Sequence, residues 1–157
     1  DLAVEAVRME LMKPASACLP AAAFAILALA PGLAVAQNDS DAAALTIELN
    51  SLQPSDGGCR LSFVATNGLG ADIAGVTYEM VLFDQAGLVE RMSVLDFKEL
   101  PAGKTRVRQF DLAGTDCSGI SRVLVNDAKA CDGKGLEPDD CMGRLRTATK
   151  FDLPFSG

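Results

Sequence analysis

Short segments in which apolar and polar residues alternate fill most of the sequence after residue 43, and turns rich in Gly, Pro, Asp and Asn separate them. A period of two is typical of β-strands that bury one face. The pattern predicts strands at about Leu45–Leu49, Cys59–Thr66, Gly75–Phe83, Leu88–Phe97, Thr105–Leu112, Ile120–Val125 and Gly143–Leu153. We expect a loop at Gln53–Gly58 and a single helical turn at Asn126–Ala130.

This rhythm of strands and turns predicts an all-β fold in one domain, residues 44–157. About seven short strands with turns every 8–12 residues favour an immunoglobulin-like β-sandwich. A small β-barrel is the alternative. The sequence after residue 36 shows no sustained helical period, no internal repeat and no linker to a second domain.

The N-terminal part of the chain has a different pattern, since residues 15–36 carry no charge. Lys13 precedes this run, 21–30 form its apolar core, and a Pro-Gly break and an Ala-Val-Ala triplet end it at Ala36. This order is that of a secretory signal peptide. We expect it to span 9–36, with cleavage between Ala36 and Gln37.

The segments around this signal complete the predicted organisation. Residues 1–8 are interpreted as upstream sequence, and residues 37–43 as a flexible N-terminus of the mature domain. An uncleaved membrane anchor is the rival interpretation, because about 20 apolar residues span a bilayer. Cys18 precedes the apolar run, which argues against a lipoprotein. Without a twin arginine, export by the Sec route is expected, and the location is periplasmic or secreted.

Composition excludes several function classes. The 157 residues carry a net charge of −7 and contain no His, no Trp and a single Tyr. His-based triads and His-ligated metals are therefore excluded. Nucleic-acid binding needs clustered Lys and Arg, which an acidic chain does not favour. No cofactor is expected.

Cysteine usage predicts the covalent framework. Cys59, Cys117, Cys131 and Cys141 follow the signal. An even number in an exported chain implies two disulfides, with three possible connectivities. We favour Cys59–Cys117, which ties a strand start to a later loop, and Cys131–Cys141, which closes a turn-rich stretch. The alternative, a four-thiolate zinc site, usually shows paired C-x2-4-C spacing, which is absent here.

An acidic loop and a set of basic residues are the candidate binding sites. The loop carries four carboxylates that could ligate Ca²⁺ through oxygen, although charged loop residues are usually only solvated: Asp132, Glu137, Asp139 and Asp140. The basic residues lie on two predicted strands and would form one patch for an acidic partner if those strands were neighbours: Arg106, Arg108, Arg144, Arg146 and Lys150. The alternative interpretation is that these charges keep edge strands from pairing with other chains.

Catalysis has weak support in the sequence. Two carboxylates could act as an acid–base pair, but no spacing singles out two among Glu79, Glu90, Asp96, Glu99 and Asp111. Ser118 and Ser121 lie near a Gly but have no nucleophile motif and no His to act as a base. We therefore expect that the protein is not an enzyme.

Two resemblances extend this interpretation. Residues 67–105 contain an aromatic-Asp pair, Phe83-Asp84, before a Gly turn, and then the link L-P-A-G-K-T at 100–105. This stretch resembles bacterial immunoglobulin-like modules of the FxLYD kind. In such a turn Asp accepts backbone hydrogen bonds and Gly supplies a positive φ.

The chain after the signal also resembles a family of uncharacterised exported proteobacterial proteins, often labelled Tat-pathway signal proteins. The matching stretches are Leu49–Cys59, Val81–Gly87, Phe110–Cys131 and Arg146–Phe155. This resemblance implies the fold and the compartment but carries no catalytic residues. The missing twin arginine departs from the family label.

The sequence therefore predicts an exported periplasmic β-sandwich, monomeric or weakly associating, that acts as a binding or accessory module of the cell envelope. The expected partner is an envelope protein or an acidic ligand, and contact with the membrane would come only through an uncleaved signal segment. The alternatives are a secreted enzyme with a carboxylate or Ser–Lys centre, and a calcium-binding adhesive module.

Overall fold

The structure, a computed structural model, describes residues 43–157. Residues 1–8, the predicted signal peptide with its cleavage site at Ala36 and Gln37, and residues 37–42 lie outside the described part. Its strands are β1 Leu45–Ser55, β2 Gly58–Asn67, β3 Ile73–Phe83, β4 Val89–Leu100, β5 Thr105–Ala113, β6 Arg122–Asp132, β7 Leu145–Thr149 and β8 Phe155–Ser156. A 3-10 helix at Cys117–Gly119 and the helix α1 at Asp140–Gly143 lie between them. Within 43–157, no helix is long and apolar enough to cross a membrane.

The strands form two open sheets of four strands each. The first sheet has the order β5-β2-β1-β7 and the second has the order β4-β3-β6-β8. Pairing is antiparallel except between β1 and β7 and between β6 and β8. The predicted all-β sandwich is confirmed, and the barrel alternative is wrong because neither sheet closes on itself.

The arrangement of the strands follows immunoglobulin-like topology up to β6. In the usual lettering of immunoglobulin strands, the first sheet has β1, β2 and β5 at the positions of strands A, B and E. The second sheet has β3, β4 and β6 at the positions of strands C, C′ and F. The chain then departs from that plan. Instead of pairing along β6, β7 crosses to the first sheet and lies parallel to β1, and only two residues of β8 return to β6.

The core lies between the sheets, where alternate residues of each strand point inward. Tyr78, Phe63 and Phe97 are its largest fully buried side chains. The ring centroids of Phe63 and Phe97 are 5.5 Å apart, and Phe110 and Phe155 lie 6.0 and 5.7 Å from Phe63. Such aromatic pairs add to the stabilisation from buried area, so β2, β4, β5 and β8 are joined by one cluster of rings.

Both disulfides join the predicted pairs. Cys59 at the start of β2 is bonded to Cys117 in the 3-10 helix, and Cys131 near the end of β6 is bonded to Cys141 in α1. A hydrogen bond from the core also holds the second bridge in place: the buried Tyr78 hydroxyl donates to the Cys141 carbonyl at 2.7 Å.

The turn between β3 and β4 has the predicted chemistry. The Asp84 carboxylate accepts hydrogen bonds from the amides of Ala86 and Leu88 at 2.9 and 2.8 Å. Gly87 has a φ of 78°, a conformation that favours glycine.

Three predicted boundaries are wrong. Residues 126–130 belong to β6 and are not a helical turn, because two register shifts against β3 break the alternation that would have revealed a strand. The predicted loop at 53–58 is a hairpin in which β1 runs to Ser55 and turns at Asp56-Gly57, Gly57 having a φ of 75°. The predicted last strand is divided into the end of α1, β7 and an irregular segment before β8.

Candidate functional site

The predicted basic patch does not form, because the topology separates its two halves. Strands β5 and β7 are the opposite edges of the first sheet, with β2 and β1 between them. Three strand spacings of about 4.8 Å put these edges about 14 Å apart. The prediction that five residues share one surface is therefore wrong: Arg106, Arg108, Arg144, Arg146 and Lys150.

Three of these residues have local partners instead. Arg144 forms an ion pair with Asp140 at 3.0 Å, and Lys150 forms one with Glu48 at 3.2 Å. The Arg146 guanidinium donates to the carbonyl of its neighbour Leu145.

Arg108 has a structural function at the edge of the sandwich. It lies on the inward face of β5, and its guanidinium donates to the carbonyls of Phe97 and Glu99 on β4 at 2.6 and 2.9 Å. In the reverse direction, Arg91 of β4 donates to the Ala113 carbonyl at the end of β5 at 2.7 Å. We call this exchange the arginine clamp. Because it occupies backbone acceptors along one edge, it protects that part of β4 from pairing with another strand.

The acidic loop does not assemble a calcium site. Asp140 directs its carboxylate at Arg144 and at the Glu137 amide, the latter at 2.8 Å. Within residues 43–157 no group of three or more His, Cys, Asp or Glu side chains is arranged to hold a metal ion. The four carboxylates considered as calcium ligands do not converge in this structure: Asp132, Glu137, Asp139 and Asp140.

Four of the five carboxylates considered for catalysis form ion pairs at the surface, namely Glu79, Asp96, Glu99 and Asp111. A hydrogen bond from Arg60 lowers the pKa of Asp111, and a hydrogen bond from Lys98 lowers the pKa of Asp96. A general acid working near neutral pH needs the opposite shift. Glu79 accepts a hydrogen bond from Asn126 at 2.6 Å.

The two candidate serines also serve local structure. The Ser118 hydroxyl donates to Asp116 at 2.8 Å, and that of Ser121 donates to the Phe83 and Asp84 carbonyls. The described residues form no pocket beside these groups.

The outer face of the second sheet carries a surface that the sequence analysis did not identify. Four large apolar side chains are more than half exposed there or at its edge: Leu88 at 65%, Val89 at 56%, Met92 at 55% and Val94 at 60%. All belong to β4 or to the turn before it. Together with Val81, Phe83 and Leu124, they form what we call the apolar outer face.

Strand register sets these side chains side by side. Met92 of β4 pairs with Val81 of β3, which pairs in turn with Leu124 of β6. In the adjacent row Val89 pairs with Phe83, and Phe83 pairs with Arg122. Val81 and Phe83 are buried, yet they lie outside the core cluster between the sheets. They are covered from the solvent side by their neighbours.

The second of these rows ends at a charged side chain on β6. The Arg122 guanidinium stacks on the Phe83 ring, with Cζ 3.7 Å from the ring centroid. Glu90 on β4 is exposed, but the register leaves it unmatched between Arg91, which pairs with Leu82, and Val89, which pairs with Phe83. Across residues 43–157, neither Arg122 nor Glu90 has a partner in an ion pair.

The outer face of the first sheet is polar by comparison. Arg60 and Asp111 form a two-bond ion pair, and Gln109 donates to Ser62 at 2.9 Å. Val107 on β5 is its one large apolar side chain that is strongly exposed, at 61%. The two faces of the sandwich therefore differ in chemistry.

A signal for the apolar outer face exists in the sequence. Alternation along β3 places Val81 and Phe83 opposite to Met80 and Leu82, and β4 carries apolar residues at both odd and even positions. A strand that is apolar on both faces is normally covered on both faces.

Comparisons with known proteins identify a fold and no family. No family profile matches the sequence, and no curated protein matches it. Among solved structures, IrmA of Escherichia coli is similar with a TM-score of 0.52 and 12% identity, over 66% of this chain and 90% of IrmA. The trimeric lipoprotein SadB of Salmonella enterica gives a TM-score of 0.39 and 18% identity over 45% of this chain, which spans only 40% of SadB. The likeness to IrmA shows a shared β-sandwich fold, and a fold alone does not specify a function.

Proposed function

We propose that this protein is an exported, non-enzymatic binding or accessory module of the cell envelope that contacts a protein partner through the apolar outer face. The observation that carries the proposal is the concentration of exposed apolar side chains on one sheet, at Leu88, Val89, Met92 and Val94. Contiguous exposed apolar surface of this kind marks sites of protein interaction.

The composition of the surface supports a protein partner. Aromatic residues, Met and Arg are enriched at protein interfaces, and Phe83, Met92 and Arg122 lie together here. Burying one large apolar side chain is worth about 1.5–3 kcal/mol, so four half-exposed ones offer on the order of 5 kcal/mol to a partner. The partner surface would be flat and apolar, with a carboxylate opposite Arg122.

The compartment is part of the same proposal. Two disulfides in a small domain are typical of chains that fold in an oxidising environment outside the cytoplasm. The predicted signal peptide supplies the route, and the resemblance to exported proteobacterial proteins and FxLYD modules agrees with it.

Site-specific photo-crosslinking tests this proposal. The full chain is expressed with its own N-terminal segment in a Gram-negative host, with a photoreactive amino acid at Val94 or, as control, at Val107. These side chains are 60% and 61% exposed, and both lie on edge strands. We expect a discrete adduct from position 94 and none from position 107. Equal yields at the two positions would refute the proposal, as would retention of the protein in the cytoplasmic fraction.

A further inference from the structure

We infer that the partner binds by adding an extended strand to the open edge of β4, with its main chain hydrogen-bonded to Met92 and Val94. The open edge is the stretch 89–96, which borders the apolar outer face. The inference rests on the proposed function and specifies how the partner is held. Its basis is that β4 presents unpaired backbone groups and exposed apolar side chains at the same positions.

Hydrogen bonds at the β3–β4 turn set the direction of the backbone groups along β4. The Asp84 amide donates to the Leu88 carbonyl at 2.9 Å, so Asp84 directs its backbone groups at β4. Alternate residues of β3 do the same, and one of them pairs with Ser93. The residues on either side of Ser93, Met92 and Val94, therefore direct their N–H and C=O groups away from β3.

These outward groups have no partner. Strand β4 lies at the end of its sheet, and within residues 43–157 no hydrogen bond from outside β3 reaches the backbone of 89–96. The arginine clamp begins at Phe97, whose carbonyl accepts from Arg108, and Lys98 interrupts the extended backbone with a φ of 61°. The open edge is thus bounded, and it accommodates a strand of about five or six residues.

The other sheet edges are protected against strand addition. On β5 the Thr105 and Val107 carbonyls accept hydrogen bonds from the arginine that follows each of them. On β7 the Leu145 carbonyl is bonded in the same way, and β7 has only five residues. Strand β8 has two residues. Short edge strands and charged side chains are common means of preventing strand pairing, so β4 is the edge at which a strand can be added.

The outer face of this edge favours apolar residues in the added strand. Met92 and Val94 point to that face and are 55% and 60% exposed. On β3 the register partner of Val94 is Glu79, so apolar cover for Val94 has to come from the open side. The partner strand is therefore expected to carry apolar residues beside Met92 and Val94.

The inner face of the edge favours an acidic residue. By alternation Arg91 lies on the face opposite to Met92, where one nitrogen of its guanidinium donates to Ala113 and Thr115. Arg91 has no carboxylate partner in the part of the chain that the structure describes. A carboxylate on the added strand would pair with it. The expected ligand is an extended segment of another protein, in which apolar residues alternate with polar ones that include Asp or Glu.

A second copy of this chain satisfies only half of this chemistry. Antiparallel pairing of two β4 edges that sets Met92 opposite Val94 also sets Ser93 opposite its own copy and Arg91 opposite Leu95. The apolar side chains then match, but Arg91 has no carboxylate across from it. Self-association through β4 is therefore an outcome that the experiment has to detect.

Proline substitution tests the inference in the crosslinking system. The photoreactive amino acid is placed at Met92, and Val94→Pro removes the outward N–H but keeps an apolar side chain. Proline is tolerated on an edge strand where the N–H would face solvent. We expect the adduct at position 92 to fall about tenfold, since a main-chain hydrogen bond is lost and the ring obstructs the added strand.

Val107→Pro is the matched control. The Asn67 amide donates to the Lys104 carbonyl at 3.1 Å, so Lys104 faces β2 and, by alternation, Val107 directs its N–H away from β2. Val107 is 61% exposed and also lies on an edge strand. This variant should leave the adduct at position 92 unchanged. Circular dichroism establishes that both proline variants are folded.

Hydrogen exchange measured by NMR on the purified protein detects the pairing itself. The probe is a synthetic peptide of about seven residues in which Val alternates with Thr and the central Thr is replaced by Glu. The peptide should slow exchange of the Met92 and Val94 amides about tenfold, whereas the Ser93 amide, bonded to β3, is protected in the free protein as well. Replacing Glu by Lys should weaken binding about threefold. N-methylation of the peptide amides that face β4 should abolish the protection.

Several results overturn the inference. It is refuted if the two amides gain no protection at about 1 mM peptide, or if a folded Val94→Pro protein still gives the adduct at position 92. Protection that rises with protein concentration in the absence of peptide would assign the edge to a second copy instead. If Val94→Pro does not fold, the exchange measurement on the wild type decides.

These failures are distinguishable from failure of the proposed function. If position 94 captures a partner but the peptide protects neither amide, the partner lies on the apolar outer face without strand addition, and the proposed function stands. If position 94 crosslinks no more than position 107, the proposed function fails first.

Discussion

Removing the two disulfides separately should show which part of the fold each one holds. The bridges differ mainly in the loop that they close, with a sequence separation of 58 for Cys59–Cys117 and 10 for Cys131–Cys141. In the chain-entropy description, closing loops of these lengths stabilises the fold by about 4.2 and about 2.7 kcal/mol. The side-chain surroundings are matched, because Cys59 and Cys141 are fully buried and the other member of each pair is partly buried. Loss of sulfur packing should therefore cost the same in both variants.

Urea denaturation of the two double-alanine variants measures this difference. We expect the variant without Cys59–Cys117 to be the less stable by about 1.5 kcal/mol, which places its midpoint about 1 M urea below that of the variant without Cys131–Cys141. Equal midpoints, or the reverse order, would show that local strain or residual structure in the unfolded chain decides the stability, and the loop-length reasoning would be refuted.

Three further substitutions test buried polar groups. Tyr78→Phe should lower the free energy of unfolding by about 1–2 kcal/mol near pH 8, measured by urea titration. Burial raises the pKa of the Tyr78 hydroxyl, so above about pH 10 this tyrosine ionises in the unfolded state first, and the wild type loses stability. The difference between the variant and the wild type should therefore shrink above that pH. Asn67→Ala removes a buried amide that bonds two carbonyls and one N–H, and should cost about 2–4 kcal/mol by the same measurement; a neutral result would contradict this. Arg108→Met opens the β4 edge and should increase light scattering on heating, whereas Arg106→Met, whose guanidinium bonds only its own strand, should not.

Sequence reasoning recovered the elements whose alternation is regular. Strand β3 alternates cleanly over Val76–Leu82, and its ends were placed correctly to within a few residues. The even number of cysteines predicts two disulfides with three possible connectivities, and the positions of the cysteines favour the pairing that the structure has. Strand β6 was missed after Val125 because two bulges, which leave Asn126 and Lys129 unmatched, destroy the period of two.

The candidate site was harder to predict because it depends on strand order. Nothing local to Arg106 or Arg146 reveals that two strands separate them. The apolar outer face likewise combines side chains from three strands, although apolar residues on both faces of β4 were visible. The alternation of apolar and polar residues along a strand predicts which side chains lie on the same face of that strand. Which strands lie side by side in a sheet depends on the topology, which the alternation does not contain.

The position of β7 beside β1 also has a consequence for the order of folding. Cys59 and Cys117 both precede β6 in the chain, so their bridge can form before residues 145–149 pair with β1. During that interval β1 has β2 on one side and an open edge on the other. An unpaired edge of this kind can recruit a foreign strand. The pairing of Leu145–Thr149 with β1, which closes this edge of the first sheet, should therefore end a period in which the folding protein is sensitive to aggregation.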